Sequence, residues 1–177
     1  MKKLITLTLI IGIACSMIGC ESLKIQPYSP LPDGVSISGS EDTGYRVDEI
    51  RLKRDITNTL PESIQFCFVQ NIPGLMGQPI LNSSKTRITA QGRDQVSFIT
   101  PMTMGTPLNY DLWFSLTASI DEESVIFNYT NLRIKGTWTP NENPLPASQD
   151  AHLYVESALD KLNKITDNVI SCLQSEN

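Results

Sequence analysis

Ten residues near the middle of the chain restrict its fold more than any others. From Asp111 to Ile120, apolar and polar residues alternate without a slip. Leu112, Phe114, Leu116, Ala118 and Ile120 fall on one side, and Asp111, Trp113, Ser115, Thr117 and Ser119 on the other. A period of two is that of a strand, and a strand with one apolar side belongs to an antiparallel sheet covered on one face. Asp121-Glu122-Glu123 makes the turn, and Ser124 to Lys135 returns as the partner strand.

Shorter signals extend this sheet. Tyr45 to Leu52 reads as a strand whose alternation slips between Val47 and Ile50, and Val35-Ser36-Ile37-Ser38 as a short first strand. Thr86 to Ala90 reads as a further strand, Gly92-Arg93-Asp94 as a turn, and Gln95 to Thr100 as its return. Thr59-Leu60-Pro61-Glu62 has the capping-box pattern, with proline where a first helical turn accepts it. Leu60, Ile64, Cys67 and Phe68 then share one helical face, although Ile64, Phe66 and Phe68 also alternate as a strand would; the helix is the preferred reading. The chain closes with a long amphipathic helix from about Gln149 to Leu173, its stripe running through Val155, Ala158, Leu162, Ile165, Val169, Cys172 and Leu173.

The expected fold is therefore α+β: a curved antiparallel sheet with a shorter helix and a long C-terminal helix on one face. This order of a helix, a loop, a strand reaching Gly92, two long strands and a closing helix resembles the TBP-like or helix-grip class of small bacterial envelope domains. It is similar in particular to uncharacterised TBP-like domains of some Gram-negative lipoproteins, over about residues 43–173. The resemblance implies a fold and no activity, so it carries no functional residues with it.

The N-terminus supplies an address. Lys2 and Lys3 precede an apolar run from Leu4 to Gly19, shorter than the roughly 20 residues that span a bilayer, which is the layout of a secretory signal peptide. Met17-Ile18-Gly19-Cys20 resembles the lipobox of bacterial lipoproteins, with Met17 in the place usually held by Leu. That resemblance implies cleavage before Cys20 and lipidation of its thiol; the alternative is a secreted protein cut near Gly19 with Cys20 incidental. Several acyl chains anchor stably where one binds marginally. Glu21, rather than Asp, follows the cysteine, which favours the outer membrane, facing the periplasm, over the inner membrane. The expected divisions are residues 1–19 as signal, 20–43 as lipidated cysteine and flexible linker, and 44–177 as one domain. The linker reading rests on Pro27, Pro30, Pro32, Gly34, Gly39 and frequent serine.

With residues 1–19 removed from the 177, 158 remain, enough for a real core, and loss of Lys2 and Lys3 takes the formal charge from −5 to −7. An acidic chain without basic runs argues against nucleic acid as a partner and against an electrostatic grip on anionic lipid. Removing Cys15 with the signal and committing Cys20 to lipid leaves Cys67 and Cys172, an even pair in an oxidising compartment. A disulfide between them is expected; two buried free thiols are the alternative.

Chemistry is scarce. His152, the one histidine, has no evident Ser or Cys partner and reads as structural. Asp121-Glu122-Glu123 reads as a solvated turn rather than a cation site, and no Cys/His cluster suggests zinc. Asn82-Ser83-Ser84 and Asn128-Tyr129-Thr130 match the glycosylation sequon by chance. No catalytic residue, cofactor or metal is expected. Two apolar loops remain: Leu75 and Met76 in one, Met102 and Met104 in the other, with outward-facing Trp113 as a further candidate for partner binding. The leading expectation is a non-enzymatic lipoprotein whose domain binds an envelope protein. A carrier of small apolar ligands or lipid comes second, and a hydrolase third.

Overall fold

Strands β4 (Arg87–Phe98), β5 (Leu108–Ile120) and β6 (Ser124–Gly136) form the centre of a seven-stranded antiparallel sheet. β2 (Gly44–Asp55) pairs with β6, and β1 (Val35–Ser40) with β2; on the other side β3 (Ile80–Leu81) pairs with β4. The short β7 (Asn143–Pro144) also joins β6. Helix α1 (Pro61–Asn71) and helix α2 (His152–Glu176) pack on the same side of the sheet, α2 entered through a 3-10 turn at Gln149–Ala151. This is a computed structural model, and it describes residues 24–56, 61–100, 103–121, 123–136 and 141–176. The signal segment, the lipobox with Cys20, the capping residues Thr59 and Leu60, and Met102 lie outside the described residues.

The α+β architecture is the one expected, and its core follows from the alternation. Leu112, Phe114, Leu116 and Ala118 of β5 are buried, as are Val125, Phe127 and Tyr129 of β6. They meet Ile64 and Phe68 of α1 and Val155, Ala158, Leu162 and Val169 of α2. The helical reading of 60–71 holds from Pro61 onward, because Ile64, Cys67 and Phe68 are fully buried while Phe66 is 46% exposed. Cys67 and Cys172 form a disulfide with Cα atoms 5.8 Å apart, which bonds the two helices side by side. Two polar ties flank α2: Arg54 of β2 donates to Asp167 (2.9 Å) and Asn163 (2.8 Å), and Lys161 pairs with Asp94 of β4 at 3.0 Å.

Three features depart from the sequence reading. Gly92-Arg93-Asp94 is no turn: β4 runs unbroken through it and pairs with β5 from Arg87↔Ser119 to Phe98↔Leu108. Gly92 is there for room. A Cβ at that point would stand 2.6 Å from the Phe114 ring and 2.7 Å from Ile72, so α1 docks where the strand has no side chain. Second, the linker stretch is partly built into the fold. The expected first strand is present as β1 (Val35–Ser40), and ahead of it Tyr28 N donates to Ala147 O (2.8 Å) and Gln149 N donates to Gln26 O (2.9 Å). Third, the Pro-rich loop before α2 enters the sheet. Leu145 N donates to Leu132 O of β6, while Val47 N of β2 donates to Leu145 O, both at 2.9 Å, so the segment fills the gap where β2 and β6 diverge.

Candidate functional site

The helices cover one face of the sheet, and among the described residues no element covers the other. Register sets its floor. One row runs Arg51, Asn128, Thr117, Thr89 and Ile80 across β2, β6, β5, β4 and β3; the next runs Glu49, Thr130, Ser115 and Gln91. The floor is thus made of short hydroxyl and amide side chains. Arg87 and Arg93 bound it along β4, about 20 Å apart at strand rise. Arg51 and Lys53 bound it on β2, three strand spacings or about 14 Å away.

The charge of this face opposes that of the chain. It presents Arg46, Arg51, Lys53, Arg87, Arg93, Arg133 and Lys135 against Asp48, Glu49, Asp55 and Asp111. Arg46 pairs with Asp48, Lys53 with Asp55, and Arg133 with Glu142. A net-negative chain therefore carries its acids mainly elsewhere, on the outer surface of α2 and at the loops. Pairing between strands distant in sequence creates this excess, so no basic run betrays it in the linear order.

Each candidate residue other than Met102 has a definite place. Trp113 faces outward, with the Arg93 guanidinium 4.9 Å from its ring centroid and Arg133 opposite it in register. Its indole Nε1 is buried and has no hydrogen-bond partner among the described residues, as is true of Asn128 Oδ1 on the same face. Leu75 packs against the core. Met76 is 42% exposed, its N–H bonded to Gln91 O at 2.9 Å, while Arg93 N donates to Pro73 O. The loop after α1 thus closes the free edge of β4, a means of blunting an edge strand. Beside it lies a hollow of about 470 Å³ lined by Met76, Gln78, Ile80, Thr89, Ser115 and Thr117. Met104 is 96% exposed in the loop beyond Phe98, the opposite end of β4. The seven residue steps from Gln91 to Phe98 put about 23 Å between the two methionine sites, so they do not form one patch.

His152 Nδ1 donates to Gln149 O (2.9 Å), and its ring lies 6.0 Å from that of Tyr28, whose hydroxyl donates to Glu156 at 2.8 Å. The histidine closes the 3-10 turn that leads into α2 and lies against Tyr28 of the N-terminal segment. Among the described residues no group of three or more His, Cys, Asp or Glu side chains is placed to hold a metal, and no helix is long and apolar enough to cross a membrane.

The architecture is that of the TBP-like α+β fold. It is similar to a DUF4468 family protein from Bacteroides ovatus, with a TM-score of 0.53 and 8% identity over 81% of this chain and 89% of that one. It is similar also to a TBP-like protein from Parabacteroides distasonis, with a TM-score of 0.51 and 8% identity over 82% of this chain and 96% of that one. At this identity the likeness concerns the fold alone. No family model matches the chain, and no curated protein matches it.

Proposed function

We propose that the chain is a lipid-anchored, periplasm-facing protein of the outer membrane that binds an envelope protein through the uncovered face of its sheet and performs no chemistry itself. The anchor follows from the lipobox-like Met17–Cys20 run. The observation that carries the binding role is the one-sided covering of the sheet: a polar floor framed by Arg51, Arg87 and Arg93, with an apolar-lipped hollow at Met76 and Ile80. Such a face suits an acidic partner surface presenting one apolar side chain to the hollow. A carrier with ligand between sheet and helices has less support, because that space is filled by Phe68, Phe114, Phe127, Tyr129 and Leu162.

A photo-crosslinking residue at Thr117, on the floor, and another at Asp160, on α2, separate the readings in the full-length protein in its own envelope. A protein adduct at Thr117, absent at Asp160 and lost with Met76→Asp, is expected. Equal adducts at both positions would remove the sheet face from the account. Labelled palmitate is expected to enter the wild type and not Cys20→Ser; label in both would sink the lipid assignment.

A further inference from the structure

Where the chain leaves the fold decides which end of the domain meets the bilayer. Among the described residues, Gln26 is the first from the N-terminal side with a long-range backbone bond, accepting from Gln149 N at 2.9 Å. Six residue steps separate it from Cys20, a reach of at most about 22 Å. The exit point lies at the start of α2, where the Tyr28 ring lies tilted against that of His152, centroids 6.0 Å apart. Two residues along the helix, Tyr154 meets Phe98, the last residue of β4, with ring centroids 4.8 Å apart. Beyond Phe98 come Ile99, 60% exposed, and Met104, 96% exposed. Met104 has a φ of 49°, a backbone conformation that an unbranched residue adopts at some cost and that here turns an apolar side chain outward. Two exposed apolar side chains thus stand at the end of the domain from which the N-terminal segment leaves.

We infer that this end of the domain faces the lipid, and that Ile99 and Met104 dip into the bilayer surface as a second, non-covalent contact. The inference rests on the lipid anchor proposed above. The contact is apolar rather than electrostatic: acidic Asp150 lies in the 3-10 turn before α2 and Glu156 near the start of α2, so an anionic surface would be repelled rather than drawn in. A leash this short keeps the loop near the headgroups continuously, so weak individual insertion suffices through high effective concentration. With this end occupied by lipid, the floor of the sheet and the Met76 hollow remain turned along and away from the membrane, open to a partner.

The test uses the full-length lipidated protein in phosphatidylcholine vesicles, its acylation first verified by mass. Single cysteines replace Met104 or Met76 and carry an environment-sensitive nitrobenzoxadiazole dye, the Cys67–Cys172 pair being bonded and unreactive. The dye at position 104 is expected to shift to the blue and to lose emission to nitroxide-labelled lipid, whereas the dye at position 76 reports water. Water at both positions, or lipid at 76 and water at 104, would overturn the inference. Chain without acyl groups in the mass spectrum would instead overturn the anchor reading. Ile99→Asp with Met104→Asp, in a protein that keeps its disulfide, is expected to expose the leash to protease; unchanged cleavage also counts against the contact.

Discussion

Tyr129 on β6 and Thr166 on α2, both fully buried, meet across the sheet–helix interface through a hydroxyl–hydroxyl hydrogen bond of 2.8 Å. Tyr129 also lies 3.4 Å from Leu162 O, and its ring stands edge-on to Phe114. A buried hydroxyl stripped of its partner costs about 1–3 kcal/mol, whereas two apolar groups of matching shape can replace a bonded pair at little cost. Tyr129→Phe is therefore expected to destabilise the domain by about 1–2 kcal/mol in urea unfolding. Adding Thr166→Val should restore part of that loss. Purely additive losses would show that the pair is not coupled.

The disulfide gives the largest expected effect. Its half-cystines are 105 residues apart, and closing a loop near that length restricts the unfolded chain by about 4–5 kcal/mol in the chain-entropy model. Unfolding with and without reductant measures it. Alkylation should label Cys67 and Cys172 only after reduction.

Gly92→Ala tests the close approach of α1 to β4. The added methyl meets the Phe114 ring and Ile72, and overpacking of this kind costs about 1–3 kcal/mol. A turn at Gly92 would instead tolerate alanine poorly only through backbone conformation, and its neighbours would not matter. A compensating Ile72→Ala, which removes the methyl that the new Cβ meets, should recover part of the stability only in the packing account.

Alkaline pH should unfold the protein in a defined window. Burial pushes the Tyr110 phenol up to about 12, against the opposing effect of its bond to Ser157, and burial raises Tyr129 as well. A folded-state pKa above the unfolded value near 10 contributes stability that is complete below pH 10 and is lost as the pH climbs toward 12. The unfolding free energy from urea titrations should hold to about pH 10 and then fall by up to about 1.4 kcal/mol per pH unit for each buried phenol. Tyr110→Phe should flatten the slope. A flat profile to pH 11.5 or so would contradict the burial of these rings.

Some of this was legible in linear order because its physics is local. The alternation of Asp111 to Ile120 specified β5 and its covered side. Even the slip between Val47 and Ile50 had a cause: Ser36 pairs with Glu49 and Ile37 with Val47, which leaves Asp48 as the extra residue of a bulge. The corresponding slip in β6 falls at Asn131, with φ 51°, where Trp113↔Arg133 gives way to Ser115↔Thr130. Gly92 was misleading because a glycine needed for close packing and one needed for a turn look alike in sequence. Trp113 could be assigned to the outer face by parity, but not its cover by Arg93, which depends on strand register. The Arg-framed floor was invisible for the same reason.

The wedge of residues 143–147 also defines how the domain would bear load. Ala147 accepts from Tyr28 and donates to Tyr45 O, each at 2.8 Å, while Leu145 is bonded to both Leu132 and Val47. Tension applied at the N-terminal segment reaches the sheet through this seam, spread over two long strands rather than drawn from a loose end. Pulling from that end would strain the Tyr28–Ala147 bond before the load reached the core.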